Sequence, residues 1–204
     1  MQKEPQSDQR GKIFSGLSTG RLLILSLVSA NIYVFISFLI IRYWHKGGLE
    51  DVFASTFPFW QQVGIGLVAG SAAAGIIYGI INREPVSKVL SDFTIFKALS
   101  KAKFSFFDNA QLSFFAGSGE ELLFRGAIQP LLGNALTAVI FIGIHGYFKF
   151  KTPGHIFFGV MMFSLSFMLG ILFEQVGLIS AMIAHTVYDV IMLQVIQKKE
   201  TESV

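Results

Sequence analysis

The chain has 204 residues, 52% of them hydrophobic and only 14% charged, with a formal net charge of +3 and no cysteine. Soluble domains carry about a quarter charged residues, so this composition is that of an integral membrane protein. The lack of cysteine excludes disulfides, thiolate metal ligands and cysteine nucleophiles. Basic residues placed beside apolar segments, rather than in one stripe, suit anionic lipid headgroups and not nucleic acid.

Residues 1–21 read as a polar N-terminal tail. A helix needs about 20 apolar residues to cross the hydrocarbon core, and six segments are candidates: 22–41, 60–82, 111–132, 133–148, 155–173 and 178–196. The first follows Arg21 as a signal peptide does, with Ser29-Ala30 as a cleavage-like end. Its apolar run continues to Ile41, too long for a signal core, so it is read as a retained span. Trp44 and Trp60 flank the next loop in the manner of an interfacial aromatic belt.

Between the second and third spans, residues 85–101 read as an amphipathic helix on the membrane surface. Pro85 suits its first turn, and Val86, Val89, Leu90, Phe93, Phe96 and Leu99 recur at helical spacing. A packed connector is the alternative. The expected fold is therefore all-α: a polytopic membrane helical bundle of about six transmembrane helices plus one amphipathic surface helix. Two N-terminal spans occupy 22–82, the amphipathic helix and a catalytic membrane core occupy 83–197, and 198–204 form a second tail.

Lysine and arginine placement sets the expected orientation. Of the 16 Lys and Arg, Arg125 lies inside a span, Arg42 and Lys46 fall on one side, and the other thirteen fall on the opposite side. Both termini are then cytoplasmic, in the cell membrane.

The third span carries Glu120, Glu121 and Arg125 near its middle. Ionisable groups in hydrocarbon are costly unless paired or facing water, and mark function by default. Glu121 and Arg125 are four apart, share a helix face and can pair. Glu120 is left without a partner in its own helix and is free to act as a general base. Gly117 and Gly119 just before it permit close backbone approach or a local break. The fourth span holds Phe141 one turn from His145, and the sixth places His185 and Asp189 on one face. For these the bland readings are a satisfied interfacial histidine and a polar pair gluing helices. At about 1.5 Å per residue, Glu120 and Asp189 both lie about 14 Å from the inner ends of their spans, and His145 only about 6–9 Å. His45, His155 and Glu174 are assigned no chemistry.

Glu-Glu-x-x-x-Arg, then Phe-x-x-x-His, then His-x-x-x-Asp, in this order on successive apolar helices, resembles the CPBP (Abi) family of intramembrane proteases. That family includes the type II CAAX prenyl endopeptidases and bacterial proteins linked to bacteriocin processing and self-immunity. The resemblance covers about residues 85–196. It implies that Glu120 and His145 activate the attacking water, that His185 and Asp189 stabilise the oxyanion, and that Glu121 and Arg125 hold the site together. The prenyl endopeptidases have Asn where this chain has Asp189. An ionised carboxylate repels an oxyanion, so Asp189 must be protonated or must instead orient His185.

The expected function is that of a CAAX prenyl protease-like intramembrane endopeptidase, cleaving a peptide or lipidated protein at the cytoplasmic membrane face without a metal. A zinc site of Glu120, His145 and His185 ranks lower, because no His-Glu-x-x-His is present. A different class keeps the cluster as inherited architecture in a non-catalytic protein for bacteriocin self-immunity or regulation of a membrane partner. A proton-coupled transporter is disfavoured by only six spans without repeated halves.

Overall fold

The computed structural model describes residues 18–93 and 104–202, the side chains of 199–202 excepted. Helices α1 (Thr19–Ile40), α3 (Phe59–Ile81), α7 (Pro153–Gln175) and α8 (Leu178–Glu202) are joined by the shorter α2 (Leu49–Phe53), α4 (Phe106–Glu121), α5 (Gln129–Leu132) and α6 (Asn134–Ile144). No strand occurs among the described residues. This is an all-α bundle of a membrane protein, and α1, α3, α7 and α8 are long and apolar enough to cross a bilayer. The outward side chains are apolar: Ile24, Phe35, Val68, Ile76 and Val160 are all exposed. Trp44 and Trp60 are exposed on either side of the α1–α3 connection, as expected of interfacial aromatics.

Three expectations are revised. The fourth segment, expected to span from 133 to 148, is helical only over eleven residues. At 1.5 Å per residue that is about 16 Å, roughly half the hydrocarbon core. The third segment starts earlier, at Phe106, because Ser105 and Asp108 form a capping box: the Ser105 hydroxyl accepts from the Asp108 amide, and the Asp108 carboxylate accepts from the Ser105 amide at 2.8 Å. It is also not one regular helix, since Leu122–Ile128 form a π-helical stretch.

The third revision concerns the surface helix expected over 85–101. Residues 94–101 lie outside the described residues. The described part, 85–93, is a series of turns ending in a 3₁₀ turn at Leu90–Asp92. Val86, Val89 and Phe93 point into the protein core rather than toward lipid, each almost fully buried. Asp92 is tied down from two sides. His155 Nε2 lies 3.1 Å from its carboxylate, and Lys149 donates to its backbone carbonyl. The connector reading prevails here, because packing against α7 takes up the apolar residues that a surface helix would have given to the membrane.

Helix α8 is the centre of the bundle, packing on α3, α4 and α7. Its close fit on α3 comes from Gly66, Gly70 and Ala74, a small residue at every fourth position. Without a hydrophobic driving force in lipid, small residues that let backbones meet are what hold helices together. A Cβ on Gly66 would stand 2.7 Å from the Ser180 carbonyl oxygen and 2.8 Å from Ile183 Cβ. On the same helix, Gly75 has no atom within 4 Å of its missing Cβ. Gly66→Ala is therefore expected to destabilise by about 1–3 kcal/mol through overpacking. Gly75→Ala should be neutral or stabilising, since Ala is the better helix former. Thermal unfolding of the two variants in detergent checks the contrast, and equal midpoints would refute the close-packing account.

Candidate active site

The polar residues of the third segment are set by two close helix crossings. A Cβ on Gly117 would stand 2.9 Å from the Thr186 amide nitrogen of α8, and one on Gly119 would stand 2.9 Å from Ala30 Cα of α1. The expected close backbone approach is thus present on both sides of α4. It wedges the carboxylates that follow between α1 and α8. The helix then loosens into the π stretch, a feature frequent at functional sites.

Glu121 and Arg125 are fully buried and joined as their spacing predicts, with Arg125 Nε 3.0 Å from Glu121 Oε2. Both terminal nitrogens of Arg125 are also engaged. One terminal nitrogen donates to Ser166 Oγ at 2.8 Å and the other to Gln129 Oε1 at 3.4 Å. Gln129 in turn donates to the Gly170 carbonyl at 3.1 Å and to Glu174 Oε1 at 2.7 Å. The other oxygen of Glu121 accepts from His185 Nδ1 at 2.8 Å. A chain of charge-assisted bonds thus runs from Glu174 to His185.

Asp189 stands farther from His185 than Glu121 does. Its Oδ2 is 3.6 Å from His185 Nε2, beyond hydrogen-bond length. Glu121, not Asp189, holds the His185 ring and commits its Nδ1–H. The two residues do share a helix face, as the i, i+4 spacing required.

His145 is fixed through its Phe-x-x-x-His motif. Its Nδ1 donates to the Phe141 carbonyl at 2.8 Å, and its ring stacks on Phe141 with centroids 4.3 Å apart. Its Nε2 therefore faces Glu120, 3.5 Å from Oε2. The same Phe141 ring carries the Arg125 guanidinium 5.6 Å from its centroid and meets His185 edge-on at 6.0 Å. One aromatic side chain spaces three ionisable groups.

The depth expected for His145 rests on a helix that the structure does not continue. That expectation assumed a continuous helix to Lys149, whereas α6 ends at Ile144 and Gly146 turns the chain at φ +73. Only glycine adopts that conformation freely.

Glu120, His145, His185 and Asp189 line one cavity of about 300 Å³. Its walls are mostly apolar on α7 and α8, from Met162, Leu165, Leu169, Met192 and Leu193 with Ser166 among them, and hydroxylic on α1, from Ser26 and Ser29. Tyr147 and Tyr188 also line it. Of the histidines assigned no chemistry, His45 bonds the Ala127 carbonyl at 2.9 Å within the π stretch, and His155 clamps Asp92. Sequence reasoning missed Ser166, Gln129, Glu174 and the two tyrosines. Gln129 was legible, four residues beyond Arg125, but Ser166 and Tyr147 carry no such signal.

Residues 103–191 match the family described as type II CAAX prenyl endopeptidase Rce1-like. The segment is Rce1-like. It contains all seven residues of the ordered motifs, and the family is the one that their order resembles. At family level this is the signature of CAAX-type intramembrane proteases. Searches among curated proteins and solved structures gave no match.

The buried network predicts a clear division among variants. Glu121→Gln and Arg125→Ala each leave a charge buried and unpaired, at a cost of about 3–5 kcal/mol. Both should lower the folded yield and the unfolding midpoint. Glu120→Gln should leave both unchanged, because Glu120 faces the cavity and, among the described residues, pairs only with His145. Equal losses in all three variants would show that Glu120 is structural too.

Proposed function

We propose that this chain is a metal-independent intramembrane endopeptidase in which Glu120 and His145 activate a water. The observation that carries the reading is the Glu120–His145 pair, 3.5 Å apart, facing a cavity shared with His185 and Asp189 in an Rce1-like segment. Catalytic contacts in an unliganded enzyme are often longer than in the reacting complex.

In the reaction, a water lying against Glu120 and His145 Nε2 gives its proton to Glu120 as its oxygen attacks the peptide carbonyl carbon. His145, with Nδ1–H spent on Phe141, offers Nε2 to the same water. The tetrahedral intermediate places its oxyanion toward His185, which as the imidazolium donates from Nε2 while Nδ1–H stays on Glu121. The C–N bond then breaks, and the proton held by Glu120 passes to the leaving amine. Arg125 keeps Glu121 ionised and immobile, so that His185 does not need to reorient during the reaction.

Among the described residues, no group of three or more His, Asp or Glu has its donors placed for one metal ion. Sensitivity to a strong chelator is what separates the water-only reading from a zinc site of Glu120, His145 and His185. The substrate is a peptide or lipidated protein presented from the membrane. The chain spans the cell membrane several times with both termini in the cytoplasm, and the cavity works from the cytoplasmic half. The basic asymmetry supports this orientation.

The deciding experiment is purified protein in liposomes against a library of membrane-anchored peptides. Wild type should cleave members of the library and keep that activity in a strong chelator. Glu120→Gln should lose about 10²–10⁴-fold, the scale of one general base, with folding intact. Comparable turnover by Glu120→Gln would sink the proposal. An inert wild type would favour the non-catalytic role in immunity or partner regulation.

Asp189 gives an independent check. Because Glu121 already holds His185, converting Asp189 to an amide does not disturb the tautomer. Asp189→Asn should therefore retain or raise turnover, since the amide is a permanent donor to the oxyanion. A fall beyond about a hundredfold in the folded variant would mean that the carboxylate itself is required.

A further inference from the structure

The cavity has an element that the motifs leave unused. Tyr147 lies two residues beyond His145, where Gly146 turns the chain out of α6. Its amide donates to the Ile142 carbonyl at 3.0 Å, which fixes the backbone. Its ring is held on three sides by aromatic neighbours. Phe93 and Phe158 meet it edge-on, with centroids 6.0 and 5.5 Å away, and the His145 imidazole lies nearly parallel at 5.7 Å. Phe93 and Phe158 are themselves almost fully buried. The ring is thus anchored on its core side, while the residue lines the cavity together with Glu120, His185 and Asp189. The Glu120 and Asp189 carboxylates both bear electrostatically on its phenol. Among the described residues, the hydroxyl takes part in no hydrogen bond to the protein.

A peptide hydrolase of this kind needs more than one donor on its oxyanion. His185 supplies one. The position that is an amide in the prenyl endopeptidases is a carboxylate here, and an ionised Asp189 opposes the charge that develops. A phenol is a neutral donor that needs no protonation step to serve.

We propose that Tyr147 is a further catalytic residue, whose phenolic O–H donates to the oxyanion of the tetrahedral intermediate beside His185. The inference rests on the peptidase reading above. The water oxygen bonds to the carbonyl carbon, the carbonyl π pair moves to oxygen, and the Tyr147 O–H binds that oxygen without transferring its proton. When the C–N bond breaks, the carbonyl re-forms and the phenol is released unchanged. The rigid aromatic cage places the donor in advance, so little reorganisation accompanies the reaction.

The test is Tyr147→Phe, which keeps the ring and its three aromatic contacts and removes one oxygen. Assayed on the best-cleaved library peptide, kcat should fall about a hundredfold, the scale of one lost oxyanion donor, with KM within about twofold. A peptide aldehyde of the same sequence, whose hydrate resembles the tetrahedral intermediate, should bind the variant more weakly by a similar factor. Binding of the unreactive peptide amide should not change. A purely structural role would weaken both ligands alike, so the ratio remains informative even if the variant is less stable. A kcat within about threefold of wild type, or a loss confined to KM, would overturn the inference. Glu120→Gln in the same assay separates the two levels: if it is inactive while Tyr147→Phe is not, only the role of Tyr147 falls. Should Glu120→Gln remain active, the peptidase reading fails and the inference with it.

Discussion

The Glu121–Arg125 pair is the interaction on which the rest of the site depends. Both groups are fully buried. Taking two charges out of water is expensive, and the mutual attraction repays it only when every remaining donor and acceptor is satisfied. That condition dictates the neighbours. Ser166 on α7, Gln129 at the end of the π stretch and His185 on α8 are each drawn to one atom of the pair. One ion pair therefore ties α7 and α8 to the end of α4 and its continuation.

The same demand separates the two adjacent glutamates. Glu121 has both oxygens engaged, by Arg125 and by His185, and so has no lone pair positioned for chemistry. Glu120, one residue earlier and about 100° around the helix, faces the cavity. The division between a carboxylate bound into the network and one that faces the cavity follows from which side of α4 meets α8. Phe141 completes the arrangement. Its carbonyl sets the tautomer of His145, its ring backs that imidazole, and its face receives Arg125.

Some of this was readable from the chain and some was not. The Glu121–Arg125 contact is local, four residues apart on one helix, and geometry alone predicts it. The shared face of His185 and Asp189 was legible for the same reason, yet the bond that actually holds His185 comes from Glu121, 64 residues away. Periodicity carries no information at that separation. The turn structure over 85–93 went unread because its apolar spacing fits a helix equally well. Only the buried position of Val86, Val89 and Phe93 against α7 decides between them.

Composition and the placement of charge determined that this is an all-α membrane protein, because hydrocarbon leaves the backbone little choice but helix. The order of three short motifs pointed to the family whose model matches residues 103–191. The tertiary structure decided how the parts combine: that α6 stops at Ile144, that the turn at Gly146 brings His145 to Glu120, and that Glu121 rather than Asp189 orients His185. These outcomes depend on where one helix ends and how closely two others approach. Such distances are set by packing between segments remote in sequence, which no local pattern encodes.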